Sequence, residues 1–366
     1  MLLRIAAIGV GVGIAALAAA NDLSRDEEVV LFPTFAAFGP ATETTTFSVH
    51  GWIFEPETDS KWRDDVLSQL SFGVTLTEQE RVSPVFRSRA AMFLVDNERG
   101  QELVATIASH ESGLSASEAN GHFRTEITLP TADLARQGLA PGKDSFVLRY
   151  SLDVPRGDPR SFHGRVHMIG REGWSVVSDI DDTIKRSNVL DKAELMRNTF
   201  LRKFTAVDGM AAAYRGWSDG GAVVHYVSGS PWQLYPALAE FCNETQFPEG
   251  TFQLRSFRLQ DGSARAMLAS PQAFKIEQIE KLLTAFPGRK FVFVGDSGEQ
   301  DPEVYGELAR RHQDQVRLIA IRNITDEKLD NARFSATFRD VPANRCLLFR
   351  EAAELPNWTD LQKHGE

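Results

Sequence analysis

The pattern of apolar and polar positions changes once along the chain, near Gly170. Before that point, short alternating apolar runs occupy 46–54, 86–95, 103–108, 123–129, 146–154 and 165–169. Turn sequences such as Asp96-Asn97-Glu98-Arg99-Gly100 and Ala119-Asn120-Gly121 divide them. Repeated short strands with such punctuation predict an antiparallel β-sandwich, with one inserted helix at 62–70. Beyond Gly170, apolar strands at 174–177, 222–227, 252–257, 290–294 and 316–321 alternate with helical segments at 193–204, 233–242, 271–286 and 302–311. That is the βαβ signature of an open, largely parallel sheet. Ligands of such sheets sit beyond the carboxyl ends of the strands.

The polar motifs fall at those ends. The run 174–177 closes in Ser178-Asp179-Ile180-Asp181-Asp182-Thr183. Acids crowded at a strand end repel one another unless a cation neutralises them or they do chemistry. Asp179 and Asp181 divide naturally into a carboxylate that attacks phosphorus and an acid that protonates the leaving oxygen, provided their environments differ. Asp182 reads equally well as a solvated or loop-capping carboxylate, and Thr183 as a turn cap. The strand 222–227 leads into Ser228-Gly229-Ser230-Pro231, a hydroxyl and a free backbone amide before a helix, able to hold a phosphoryl oxygen or simply to cap. Lys275, within 271–286, is by position an ordinary solvated lysine, but it can neutralise a nucleophile. The strand 290–294 runs into Gly295-Asp296-Ser297-Gly298-Glu299-Gln300-Asp301, hard oxygen donors suited to Mg²⁺.

A chain of 366 residues, 42% hydrophobic and 25% charged, accommodates two domains, and a net charge of −10 argues against nonspecific nucleic-acid binding. Residues 1–20, with Arg4, an apolar stretch and Ala18-Ala19-Ala20, have the pattern of a signal peptide or short anchor, so export or membrane anchoring is expected. Cys242 and Cys346 are the sole cysteines, expected as buried thiols, with a disulfide as the alternative. His163 and His167 lie on a strand, where a spacing of four forms no helical metal pair, and His225 reads as a core residue.

In order, these motifs resemble the four-motif pattern of the haloacid dehalogenase-like superfamily. More narrowly, residues 177–185, Asn198-Thr199-Phe200-Leu201, 225–234 and 294–303 resemble the actin-patch-type phosphatidate phosphatase catalytic domain, with lipins as more distant relatives. The likeness extends over about 170–325, and the amino-terminal half is similar, less distinctively, to the β-domain that often precedes it. The resemblance implies a haloacid dehalogenase-like sheet without a large cap at 171–366 and a β-sandwich-like domain at 21–170. It further implies Asp179 as the nucleophile forming an aspartyl phosphate, and Asp181 as general acid and base. Ser228 and Gly229 then bind the phosphoryl group and Lys275 offsets its charge. Mg²⁺ is held by Asp179 and Asp296 and by the backbone carbonyl of Asp181, with Asp301 a water-mediated partner or an orienting acid.

The 44 residues between Thr183 and Ser228, and the 46 between Ser228 and Lys275, are largely consumed by sheet-building elements and leave no room for a large lid. An open site suits a lipid phosphate at a membrane surface, with Phe200, Leu201 and Phe204 beside Lys185 and Arg186 as an expected lipid-facing rim, core packing being the better reading for Phe204. The expected function is Mg²⁺-dependent hydrolysis of phosphatidate. Its alternatives are a phosphatase of other phosphoesters or phosphoproteins, and a noncatalytic phosphatidate-binding module, which would need no acid pair. A phosphorelay receiver would carry its phosphorylated Asp on a later strand.

Overall fold

The computed structural model describes residues 23–56, 76–140, 143–256 and 271–364; the expected leader at 1–20 and the expected helix at 62–70 lie outside them. No helix among the described residues is long and apolar enough to cross a membrane.

The amino-terminal half builds two sheets. One holds β1 (Glu28–Phe32), β3 (Thr44–Pro56), β4 (Val95–Asn97) and β7 (His122–Pro130); the other runs β2 (Thr34–Phe38), β9 (His163–Gly170), β8 (Phe146–Leu152), β5 (Val104–Ile107), β6 (His110–Gly113). Alternation decides which side chains turn inward. Phe47 and Val49 of β3, with Phe123, Ile127 and Leu129 of β7, are buried against Ala105, Leu148, Val166 and Met168 of the second sheet, so the two sheets share one core. Thr46 and Thr128 face each other on the exposed side of the β3–β7 pair.

The run expected as a strand at 86–95 is instead mostly helix, Pro84–Ala91, and only Val95 belongs to a strand. Ser83 caps the helix through its side chain and Pro84 occupies its first turn, the usual start signals. The buried apolar positions Phe86, Ala90, Phe93 and Leu94 recur at three- and four-residue, helical spacing rather than in strict alternation.

The second half forms a six-stranded, wholly parallel sheet in the order β12 (Gly250–Arg255), β11 (Val223–Pro231), β10 (Glu172–Ser178), β13 (Gly288–Asp296), β14 (Val316–Arg322), β15 (Cys346–Phe349). β10 is flanked on both edges and covered on both faces, so Trp174, Val176 and Val177 are buried together with Ser175 and Ser178. Val176 packs with Val224 and Val292 beneath the helices Met210–Asp219 and Tyr235–Glu244. Val177 packs with Val227 and Phe293 against Pro271–Ala285 and Asp301–Arg311. Because β11 and β13 are the two neighbours of β10, their carboxyl ends converge on Asp179.

At Gly170 the chain passes directly from β9 into β10 with only Arg171 between. Buried Arg289 fixes this passage: its guanidinium donates to the carbonyls of Gly170, Glu172 and Trp174 and to Ser175 Oγ. Phe32 of β1 packs on Trp232 and Tyr235 with ring centroids 4.3 and 5.2 Å away, so the two halves also share a core. Cys242 and Cys346 are free; burial pushes the Cys242 thiol up to about 12 and that of Cys346 up to about 11.

Candidate active site

Asp179 follows the last residue of β10, where its backbone N–H donates to Val294 O of β13 at 2.9 Å. Its side chain is 1% exposed. Oδ1 accepts from Lys275 Nζ at 2.8 Å and Oδ2 from Thr183 Oγ1 at 3.2 Å, so Thr183 holds the carboxylate rather than merely capping a turn. Two residues on, the chain folds back. Asp182 takes a left-handed φ of +50°, and its carboxylate accepts from the backbone N–H groups of Ser187 (2.8 Å) and Val189 (2.6 Å). Of the two readings of Asp182, loop capping is the one realised. The reversal points Asp181 into the same pocket, where it pairs with Lys185 Nζ at 2.7 Å. Ser187 Oγ (2.7 Å) and Ser230 Oγ (3.0 Å) also donate to it, and Ser228 Oγ approaches to 3.4 Å.

Lys275 is not solvated. It is 2% exposed and lies amid Asp179, Asp301 and Glu299, with Glu299 Oε2 at 3.1 Å. Burial alone would pull its ammonium down, but the surrounding carboxylates outweigh that and hold it well above its ordinary range. Asp301 begins the helix Asp301–Arg311; one of its oxygens receives Lys275 and the other accepts from Asp296 N at 3.2 Å. Both oxygens are thus engaged, as an orienting acid requires. A Cβ at Gly295 would lie 2.5 Å from Asp301 Oδ2, so glycine there lets the carboxylate close on the loop. At Gly229 a Cβ would meet nothing nearer than 3.8 Å, so crowding does not demand that glycine.

Oxygens of Asp179, Asp296 and Glu299 lie within 4.8 Å of one another, the one such acidic group among the described residues. Glu299, not among the expected site residues, thus joins Asp179 and Asp296, and its signal was its place in the same acid-rich loop. Asp296 Oδ1 accepts from Gly298 N (2.7 Å) and Glu299 N (3.2 Å), while Oδ2 is buried with no partner. Burial, reinforced by neighbouring acids against the opposing pull of Lys275, raises the carboxyls of Asp179 and Asp296 well above the ordinary range and raises Glu299 as well. An orphaned carboxylate oxygen inside an all-oxygen, under-neutralised trio fits a hard divalent cation such as Mg²⁺. Asp181 differs: burial pushes its carboxyl up, but Lys185 and the hydrogen bonds from Lys185, Ser187 and Ser230 outweigh burial and leave it below the usual range.

The other expectations resolve simply. Phe200 and Phe204 are each 7% exposed, and Lys185 is buried with its nitrogen 4.7 Å from the Phe204 ring centroid. The expected rim is therefore not a surface feature: Phe204 packs in the core, and Phe200 is buried apart from the part that lines a cavity beside Ser228; Arg186 is well exposed, paired with Asp208. His225 is a buried core residue bonded to Thr251 Oγ1 and Ser175 Oγ.

A parallel α/β sheet that gathers acids, a hydroxyl and a lysine at adjacent strand ends is equipped for phosphoryl-transfer chemistry. Residues 174–323 match the family described as phosphatidate phosphatase APP1, catalytic domain. Phosphatidate phosphatase APP1 of Saccharomyces cerevisiae is 32% identical over 190 residues, covering 50% of this chain and 32% of its own. The uncharacterized protein C29B5.04c of Schizosaccharomyces pombe is 30% identical over 172 residues, 46% of this chain and 28% of its own. The matches thus span about a third of these relatives. Among solved structures, a β-glucuronidase of Parabacteroides merdae aligns over 81% of this chain and 34% of its own, with 10% identity and a TM-score of 0.25, too low to define a common fold.

Proposed function

We propose that the protein is a Mg²⁺-dependent phosphatase that hydrolyses phosphatidate, or a closely related lipid phosphate, to diacylglycerol and phosphate. It would do so on a haloacid dehalogenase-like sheet with no large cap, behind a β-sandwich domain. The carrying observation is the set of buried Asp179, Lys275 and Asp296 with the partly exposed Glu299, three carboxyls held too closely for one lysine to neutralise. The lipid substrate is supported by the family match and by the name of the yeast relative. A binding module has no need of the separately tuned pair Asp179 and Asp181.

In this reading Asp179 attacks phosphorus, forming a P–O bond to its carboxylate as the ester oxygen leaves. Lys275, already on Asp179 Oδ1, is placed to offset charge on the attacking group and the phosphoryl oxygens. Ser228, with Gly229 beside it, holds the phosphoryl group. Asp179, Asp296 and Glu299 would hold the cation, which when bound supplies Lewis-acid charge neutralisation. Asp301 keeps Lys275 and the Asp296 loop in place.

Asp181 faces this group from the other side. Ionised in the resting site, it is ready to accept a proton from water attacking the aspartyl phosphate. A phosphate arriving beside it raises its proton affinity, because like charge favours the neutral acid; Asp181 then takes a proton from the monoanionic phosphate ester or from solvent and passes it to the leaving oxygen. Asp181→Asn should therefore lower kcat on the order of 10²–10⁴-fold for an alkyl phosphate. The loss should be smaller for p-nitrophenyl phosphate, whose leaving group needs no proton. Equal losses on both would confine Asp181 to a structural role.

The cation site has a readout independent of turnover. A ligand that binds only the folded state stabilises it by about 2.7 kcal/mol at a hundredfold excess over Kd, so Mg²⁺ should raise the melting temperature. Asp296→Ala and Glu299→Gln should each shrink that shift while leaving the sheet folded. A Mg²⁺ shift undiminished in both variants would remove the trio as the site.

A further inference from the structure

We infer that the amino-terminal half completes the substrate site, with Phe93 forming one wall of an apolar chamber that seats the carbon skeleton next to the reacting phosphate. This rests on the phosphatase reading above and names what the site recognises on the leaving group. A cavity of about 230 Å³ lies between the loop that ends β11 and the helix Lys192–Phe200. Its lining is of two kinds. Asp181, Ser228, Ser230 and Glu299, where the phosphate is handled, are polar, as are Thr199, Arg255 and Ser256. Phe93, Met196, Phe200 and Leu234 supply an apolar wall.

The wall is built from both halves of the chain. Met196, Thr199 and Phe200 fall on one face of their helix by spacing. Phe93 is 8% exposed and meets the Phe200 ring edge-on at 5.5 Å between centroids. The preceding helix, Pro84–Ala91, fixes this contact through Arg89. Its guanidinium donates to Thr199 O (2.6 Å) and Arg202 O (2.7 Å), at the carboxyl end of the facing helix, where a cation is favoured. It also lies 3.6 Å from the Phe204 ring centroid. Glu80 and Arg197 form an ion pair between the same regions.

Size and polarity together select the occupant. The cavity is smaller than the roughly 300–1,000 Å³ that encloses a drug-sized ligand, so it admits the segment next to the ester oxygen and leaves the rest of a lipid outside. A sugar or peptide leaving group would bring hydroxyls or amides against Phe93, Phe200 and Met196, which offer no hydrogen bonds, and that is costly. An aliphatic chain or the glyceryl end of an acylglycerol meets no such cost.

The test is a series of monomeric n-alkyl phosphates, ethyl to hexyl, assayed with Mg²⁺. For the unaltered protein kcat/KM should rise ~fourfold per methylene over the first additions and then level. Phe93→Ala should lower the hexyl-to-ethyl ratio on the order of tenfold, and Thr199→Phe, which fills the chamber from the helix, should lower it too. Should Phe93→Ala not fold, Phe93→Leu keeps the core filled and lowers the same ratio by less. A ratio unchanged in a folded Phe93 variant, or no chain-length dependence in the unaltered protein, would overturn the inference while sparing the phosphatase reading. No hydrolysis of any member of the series or of phosphatidate in mixed micelles would overturn the phosphatase reading itself.

Discussion

Asp179→Asn should abolish phosphate release, by a factor on the order of 10⁴ or more, since a neutral amide cannot serve as the nucleophile. The substitution keeps the shape of the side chain, and its oxygen can still accept from Lys275. It also removes one negative charge from a site where burial and the neighbouring Asp301, Glu299 and Asp296 already disfavour that charge. The metal-free variant should therefore melt no lower than the unaltered protein. The two readouts together separate a chemical role from a structural one. Turnover within tenfold of the unaltered protein would remove Asp179 as nucleophile; a lost fold would make it a structural acid.

Lys275→Met should have the largest combined effect on stability and activity. Removing one partner from a buried ionic cluster typically costs about 3–5 kcal/mol, and here Asp179, Asp301 and Glu299 all lose their shared cation. The pH dependence has a definite sign. The carboxyls of Asp179, Asp296 and Glu299 are already raised in the folded chain. Stability tied to a raised carboxyl is full below its unfolded value, about 4, and is lost as pH rises through the folded value. Without Lys275 those carboxyls rise further, so the deficit should be small in acid and grow toward neutrality. Urea unfolding of the metal-free proteins across that range measures it. A deficit of the same size at every pH would assign Lys275 to packing alone.

How much was readable beforehand follows from where each signal resides. β10, β11, β13 and β14 were legible because strands covered on both faces are nearly continuous apolar runs. With them came the positions of Asp179, Ser228 and Asp296 at strand ends. The stretch 86–95 misled because Phe86, Ala90 and Phe93 are compatible with a mixed pattern until Ser83-Pro84 is weighed as a helix start. The helix Met210–Asp219 went unnoticed since Gly209, a left-handed residue with no capping side chain, begins it. Lys275 looked solvated because one apolar face of a helix says nothing about a lysine aimed past its end into a ring of acids. The pairing of Lys185 with Asp181 likewise arises from a loop reversal fixed by Asp182, an event with no periodicity to read.

Phosphate release from phosphatidate in mixed micelles, with Mg²⁺ or with a strong chelator, tests the central claim most directly. The account predicts diacylglycerol as product, a rate that follows the surface fraction of phosphatidate, and loss of activity in chelator restored by added Mg²⁺. Undiminished turnover in chelator would contradict the metal-dependent site, and a soluble phosphoester or phosphopeptide cleaved far faster than phosphatidate in every presentation would contradict the lipid assignment.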